Sequence, residues 1–155
     1  MTVFSIRLLR ATCACLLSAS LIACGGGTND EPKDIPFARV QGDFFGEWPV
    51  QTYVARSDSE WSQVWNQFVS YFEPPAPKPV VDFSAYTVVG ISLGWGFNGC
   101  EGVAISRVME TSTEIDVEYR RLSALPGQGC TASVVPLIDF VEISATTKPV
   151  VFSAS

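Results

Sequence analysis

The chain has 155 residues, with 10 basic and 16 acidic side chains, five cysteines and no histidine. That length suits one domain around a single hydrophobic core, and the acidic balance argues against nucleic acid and anionic lipid surfaces as partners. The absence of histidine removes the usual Ser-His-Asp and Cys-His nucleophile systems together with the commonest metal ligand.

Arg7 and Arg10 are the only charged residues among the first 23. They precede an apolar stretch, Ala11 to Ala23, that is too short and too interrupted by Thr12, Ser18 and Ser20 to span a bilayer comfortably. The stretch ends in Leu21-Ile22-Ala23-Cys24, which resembles the lipobox of bacterial lipoproteins: a small residue before the cysteine and an apolar one three positions before it. The resemblance implies that residues 1–23 are a signal peptide, that Cys24 receives a diacylglycerol through its sulfur, and that Cys24 becomes the first residue of the mature protein. Each buried CH₂ adds about 0.8 kcal/mol, so two or more chains anchor stably where one is marginal. Gly25 stands where an aspartate is associated with inner-membrane retention. The expected location is therefore the cell envelope, lipid-anchored and facing outside the cytoplasm, with the outer membrane favoured if the source is Gram-negative. Cleavage leaves 132 residues, 8 of them basic and 16 acidic, a formal balance of −8.

Cys13 and Cys15 depart with such a signal, and Cys24 is blocked as a thioether. Cys100 and Cys130 are then the remaining thiols in an oxidising space, where a disulfide is expected. Two cysteines without any histidine make a poor zinc site, and neither a metal nor a cofactor is expected.

Residues 24–36 read as a flexible tether, because Gly25 to Asp34 is glycine-rich, then charged and proline-bearing, with nothing to bury. Residues 37–155 read as a single β-rich domain, ordered from near Ile35 or Phe37. From Val40 to Val54 the chain holds Phe44, Phe45, Trp48, Val50, Tyr53 and Val54 with Gly42, Gly46 and Pro49 among them, which suits two short strands around a turn. Trp61, Val64, Trp65, Phe68, Val69 and Phe72 then recur at i, i+3, i+4, i+7, i+8 and i+11, which places them on one face of an α-helix. Ser57 and Glu60 supply a capping box at its start. Pro74 to Pro79 ends it with a stiff extended link, read as a spacer or as a proline-rich ligand for another domain.

Thr87 to Leu93 is apolar on both faces through Val88, Val89 and Ile91, as a central strand requires. Gly94 to Cys100 reads as a glycine-rich turn and Gly102 to Met109 as the returning strand. Thr113 to Tyr119 alternates, with Ile115, Val117 and Tyr119 facing in and Glu114, Asp116 and Glu118 facing water. Leu125 to Cys130 reads as another turn. Ser133 to Ser144 and Pro149 to Phe152 complete the strands, with Pro136 marking an edge or bulge. The expected fold is α+β: a mostly antiparallel β-sheet, as a sandwich or partly open barrel, with one amphipathic α-helix packed on it.

No motif selects catalytic residues, and no enzyme is expected. A carboxylate pair requires two acids facing each other across a substrate at roughly 5 to 9 Å, and Asp82, Glu101, Asp139 and Glu142 carry no spacing that singles them out. Glu114, Asp116 and Glu118 share a face but stand about 6.6 Å apart along a strand, too wide for ligands that must each lie about 2.4 Å from one calcium. Arg120 and Arg121 balance that acidic face. Trp95 and Phe97 are large aromatics among glycines, outside any periodic core pattern; either they fold back over the sheet or they form a contact surface.

The helix bearing Trp61 and Trp65, the run Val81 to Val89 leading into a strand and glycine turn, and Pro126-Gly127 before Cys130 together resemble the carboxy-terminal domain family named for PrcB, over about Ser57 to Phe152. The family's namesake is a lipoprotein subunit that associates with and stabilises a surface protease complex. The resemblance therefore implies a non-enzymatic protein-interaction module with an envelope protein as partner, and it transfers no functional residue. The reading from a different class is a small-ligand or glycan-binding lipoprotein domain.

Overall fold

The computed structural model describes residues 31–44, 46, 48–67 and 76–155. The expected signal peptide, Cys24, most of the expected tether, and Phe45, Phe68, Val69 and Phe72 lie outside the described residues. In chain order the elements are β1 (Lys33–Asp34), β2 (Ala38–Arg39), β3 (Gln51–Ala55), α1 (Asp58–Asn66), β4 (Tyr86–Gly96), β5 (Gly102–Glu110), β6 (Ile115–Leu122), β7 (Val135–Ser144) and β8 (Val150–Ala154).

These strands form two four-stranded sheets, one ordered β1-β5-β6-β8 and the other β2-β7-β4-β3. The sandwich form of the expected fold is the one adopted, and the sheets do not close into a barrel. Pairing is antiparallel except between β6 and β8, which run parallel. Alternation explains the core between the sheets: Val103, Ile105, Val108, Ile115 and Val117 of one sheet meet Val89, Ile91, Leu137, Val141 and Ile143 of the other. Burying each such side chain contributes about 1.5–3 kcal/mol.

The second sheet is covered on its other face as well. Val88 and Phe140 point there, into a cluster with Val40, Trp48, Tyr53, Ala55, Trp61 and Trp65. This is why β4 is apolar on both faces and why it lies centrally, between β7 and β3. Phe140 is the hub, with ring centroids at 5.1 Å from Trp61, 5.3 Å from Tyr53, 5.2 Å from Phe44 and 5.7 Å from Trp48. Gly90, its register partner on β4, makes the hub possible: a Cβ at 90 would stand 3.0 Å from the Phe140 Cγ and closer still to two ring-edge carbons.

The helix presents Trp61 and Trp65 to this cluster, both buried, as the i, i+4 spacing predicts. Its cap differs from the expected reciprocal box. Ser57 accepts the Glu60 amide at 3.2 Å, but the Glu60 carboxylate reaches past the cap residue to the Arg56 amide at 2.6 Å. The proline-bearing link docks on the helix's own indoles: Trp65 Nε1 donates to the Ala76 carbonyl at 3.1 Å and Trp61 Nε1 to the Pro79 carbonyl at 3.0 Å. Those carbonyls are three residues apart, the repeat of an extended proline-rich segment. Lys78 adds hydrogen bonds to Asp58 and, at 2.7 Å, to Ser62.

Three sequence expectations need correction. Ordered pairing begins at Lys33, inside the expected tether, because Lys33 and Asp34 pair with Glu110 and Met109 and Ile35 packs on the core. The segment from Val40 to Val54 holds one strand among its described residues, the start of β3, and not two around a turn; β3 and the preceding β2 sit at opposite edges of one sheet. The chain between them crosses the sheet's outer face, where Phe44 and Trp48 join the aromatic cluster. Finally, Trp95 belongs to β4 and not to a turn. The strand absorbs Gly94, at φ 79°, in a bulge between Ser92 and Trp95 and runs on to Gly96.

Candidate contact surface at the disulfide end

Two connections carry the chain between sheets at one end of the sandwich, the turn from β4 to β5 and the longer loop from β6 to β7. Cys100 in the first and Cys130 in the second are joined by a disulfide, with Cα atoms 5.5 Å apart and a sequence separation of 30. The expected pair is therefore present.

Hydrogen bonds fix the shorter connection further. Asn98 Oδ1 accepts the Cys100 amide at 3.0 Å, Asn98 Nδ2 donates to Glu101 Oε1 at 2.8 Å, and the Gly99 amide donates to the Thr131 carbonyl at 2.9 Å. Arg121, at the end of β6, donates to Glu101 Oε2 at 3.2 Å. The longer loop contains a turn in which the Gln128 amide donates to the Leu125 carbonyl at 3.0 Å; Pro126 and Gly127, at φ 79°, occupy its centre as a type II turn requires.

On this braced end Phe97 is 76 % exposed and Trp95 38 %. Trp95 pairs with Pro136, and one step beyond the last pair, Gly96 with Val135, stand Phe97 and Val134. Val134 is 64 % exposed, and Leu125 of the same loop 71 %. Val134, opposite Phe97 by register, extends the apolar surface that the sequence suggested only at Trp95 and Phe97. Its signal was weak, since single apolar residues in loops are common on protein surfaces.

The four acids without motif spacing are held in separate local structures. Asp82 caps the turn before β4, accepting the Ser84 hydroxyl at 2.6 Å and its amide at 3.0 Å, and these bonds hold its carboxyl below the usual carboxylate range. Glu101 is engaged by Asn98 and Arg121. Asp139 is buried and pairs with Arg39. Glu142 lines a shallow groove with Phe37, Tyr86 and Ser144. Among the described residues, no group of three or more His, Cys, Asp or Glu side chains is arranged to hold a metal ion, and no helix is long and apolar enough to cross a membrane.

Fold and surface thus define a class: a two-sheet α+β sandwich with a disulfide-braced, aromatic-bearing end. No family model, curated protein or solved structure matches the chain.

Proposed function

We propose that this protein is a membrane-anchored extracytoplasmic lipoprotein that acts as a non-enzymatic interaction module, holding or stabilising another envelope protein through the end of the sandwich bearing Trp95 and Phe97. The observation that carries the reading is the exposure of Phe97 on a turn fixed by a disulfide and by its own hydrogen bonds. A turn needs backbone freedom and polar side chains, not a phenylalanine. An aromatic held in place before contact loses little entropy on binding, the general advantage of preorganisation. The lipobox at Cys24 supports the anchor, and the likeness to the PrcB carboxy-terminal family supports a protease complex as the kind of partner.

The test is capture from detergent-solubilised envelopes with the full lipidated chain as bait. A stoichiometric protein partner is expected, and Trp95→Ala and Phe97→Ala should each weaken its binding by at least about 1 kcal/mol while leaving the thermal melt unchanged. Saturable glycan binding without a protein partner would replace this reading with a glycan-binding one.

A further inference from the structure

We infer that β8 is an interface through which two copies of this chain pair, edge to edge and antiparallel, so that the sheet β1-β5-β6-β8 continues into its equivalent in the second copy.

The edges of the two sheets differ in how they are protected. β1 and β2 are two residues long. The part of β5 beyond β1 is covered by side chains: Asp139 accepts the Ile105 amide at 2.7 Å and Arg39 donates to the Ile105 carbonyl at 3.2 Å. β3 runs directly into Arg56 and the acidic first turn of α1, which holds Asp58 and Glu60. Lys148 and Pro149 stand just before β8, with Lys148 turned to Glu110 and the Thr111 carbonyl, but the strand itself carries none of these devices. Val150-Val151-Phe152-Ser153-Ala154 contains no charge, no proline and no bulge, and among the described residues it pairs on one side only, with β6.

Hydrogen-bond parity shows what its free side offers. The Pro149 carbonyl accepts the Ile115 amide at 2.9 Å and the Ser155 amide donates to the Tyr119 carbonyl at 2.9 Å, so the odd-numbered residues address β6. Because successive peptide groups alternate sides along a strand, Val150, Phe152 and Ala154 turn their N–H and C=O groups away from the sheet. Those three positions are symmetric about Phe152. An antiparallel second β8 in the register Phe152 to Phe152 sets Val150 opposite Ala154 at both ends, and every outward donor meets an acceptor, giving about six hydrogen bonds. Other registers of the same parity match fewer.

The occupant is a second copy because the edge is complementary to itself and neutral. The tethered chain, without residues 1–23, carries a formal balance of −8, so two copies repel overall, and this strand brings no like charges together. Side chains agree with the pairing. Val150 and Phe152 face the inter-sheet core but are only partly buried there, and the second copy's Phe152 would lie beside the first as a cross-strand aromatic pair. β8 is also at the opposite edge of its sheet from β1, the strand nearest the lipid tether, so pairing leaves both tethers at the outer margins.

In the proposed register Val151, 43 % exposed, faces the second copy's exposed Ser153 across the axis, which gives a charge-exchange test. The full chain in density-matched detergent should sediment as a dimer. A Val151→Lys/Ser153→Lys variant, with an unchanged thermal melt, should dissociate at least tenfold more readily; mixing it with Val151→Glu/Ser153→Glu should restore a mixed dimer. Ala154→Pro, which removes one outward N–H and none facing β6, should act in the same direction and serves if the lysine variant fails to fold. A wild-type monomer would overturn the proposal, including one that captures an extended segment of another envelope protein. So would a dimer indifferent to these substitutions. Trp95→Ala/Phe97→Ala is expected to leave the dimer intact, so this proposal and the proposed contact surface can fail separately.

Discussion

The carboxylate of Asp139, in the middle of β7, accepts the backbone amide of Ile105 on β5 at 2.7 Å, bridging the two sheets through a single side chain. Arg39 completes the arrangement by pairing with Asp139 and donating to the Ile105 carbonyl at 3.2 Å. Together the ion pair satisfies both free backbone groups of Ile105, one donor and one acceptor, as a neighbouring strand would. A buried acid in a β-core is therefore an edge cap here.

The two halves of that cap should differ in cost. Asp139→Ala leaves the Ile105 N–H buried without its acceptor and should destabilise by about 1–3 kcal/mol. Arg39 is nearly half exposed, so Arg39→Ala should cost less, about 1 kcal/mol. Urea denaturation of both variants checks the order; an Arg39→Ala protein weaker than Asp139→Ala would show that the guanidinium, not the carboxylate, holds the sheets together.

Gly90 should tolerate no side chain. Phe140 lies across it and is itself wedged among Trp61, Tyr53, Trp48 and Phe44, so the ring has nowhere to retreat. Gly90→Ala is expected to destabilise by about 1–3 kcal/mol through overpacking, despite alanine's smaller backbone entropy loss. A Gly90→Ala protein as stable as the parent would mean that the hub can shift.

The disulfide closes a loop of about 30 residues, for which chain entropy predicts about 3.5 kcal/mol. A Cys100→Ser/Cys130→Ser protein should lose stability on that scale, and its Phe97 amide should exchange with deuterium faster than the parent's. Equal exchange at Phe97 would show that Asn98 and Glu101 hold the turn unaided.

Asp34 and Arg107 make the pH prediction. Hydrogen bonds from Arg107 at 2.6 and 3.2 Å hold the Asp34 carboxyl below its ordinary value. A carboxyl depressed on folding contributes stability that is fully present above its unfolded pKa and is lost as pH falls through the lower folded pKa. β1 should therefore stay docked at neutral pH and loosen only below the ordinary carboxylate range, and Arg107→Ala should return Asp34 to that range. Carboxyl carbon NMR titration of the two proteins reads this directly; no difference in the Asp34 midpoint would dissociate the ion pair from β1 docking.

Local pattern was enough for much of the fold. The i, i+4 pair Trp61 and Trp65 marked a buried helix face, the two-faced apolar run of β4 marked a central strand, and the strict alternation of Ile115, Val117 and Tyr119 marked the inward face of β6. Each signal depends only on the period with which side chains point from an element, so neighbouring residues suffice to define it. Cys100 and Cys130 were legible by elimination, given the compartment implied at Cys24. The candidate surface was half legible: aromatics among glycines pointed to Trp95 and Phe97, whereas Val134 joined them only through the register of β4 against β7. What required the tertiary structure was every relation between elements distant in sequence. Val40 to Val54 reads as a hairpin but leads from one edge of a sheet to the other; β6 and β8 pair in parallel; Gly90 is small because of Phe140, and Asp139 is buried because of Ile105 and Arg39. Such choices are set by which apolar face must be covered and which backbone group left satisfied, and both depend on partners brought together only when the sheets close over the core.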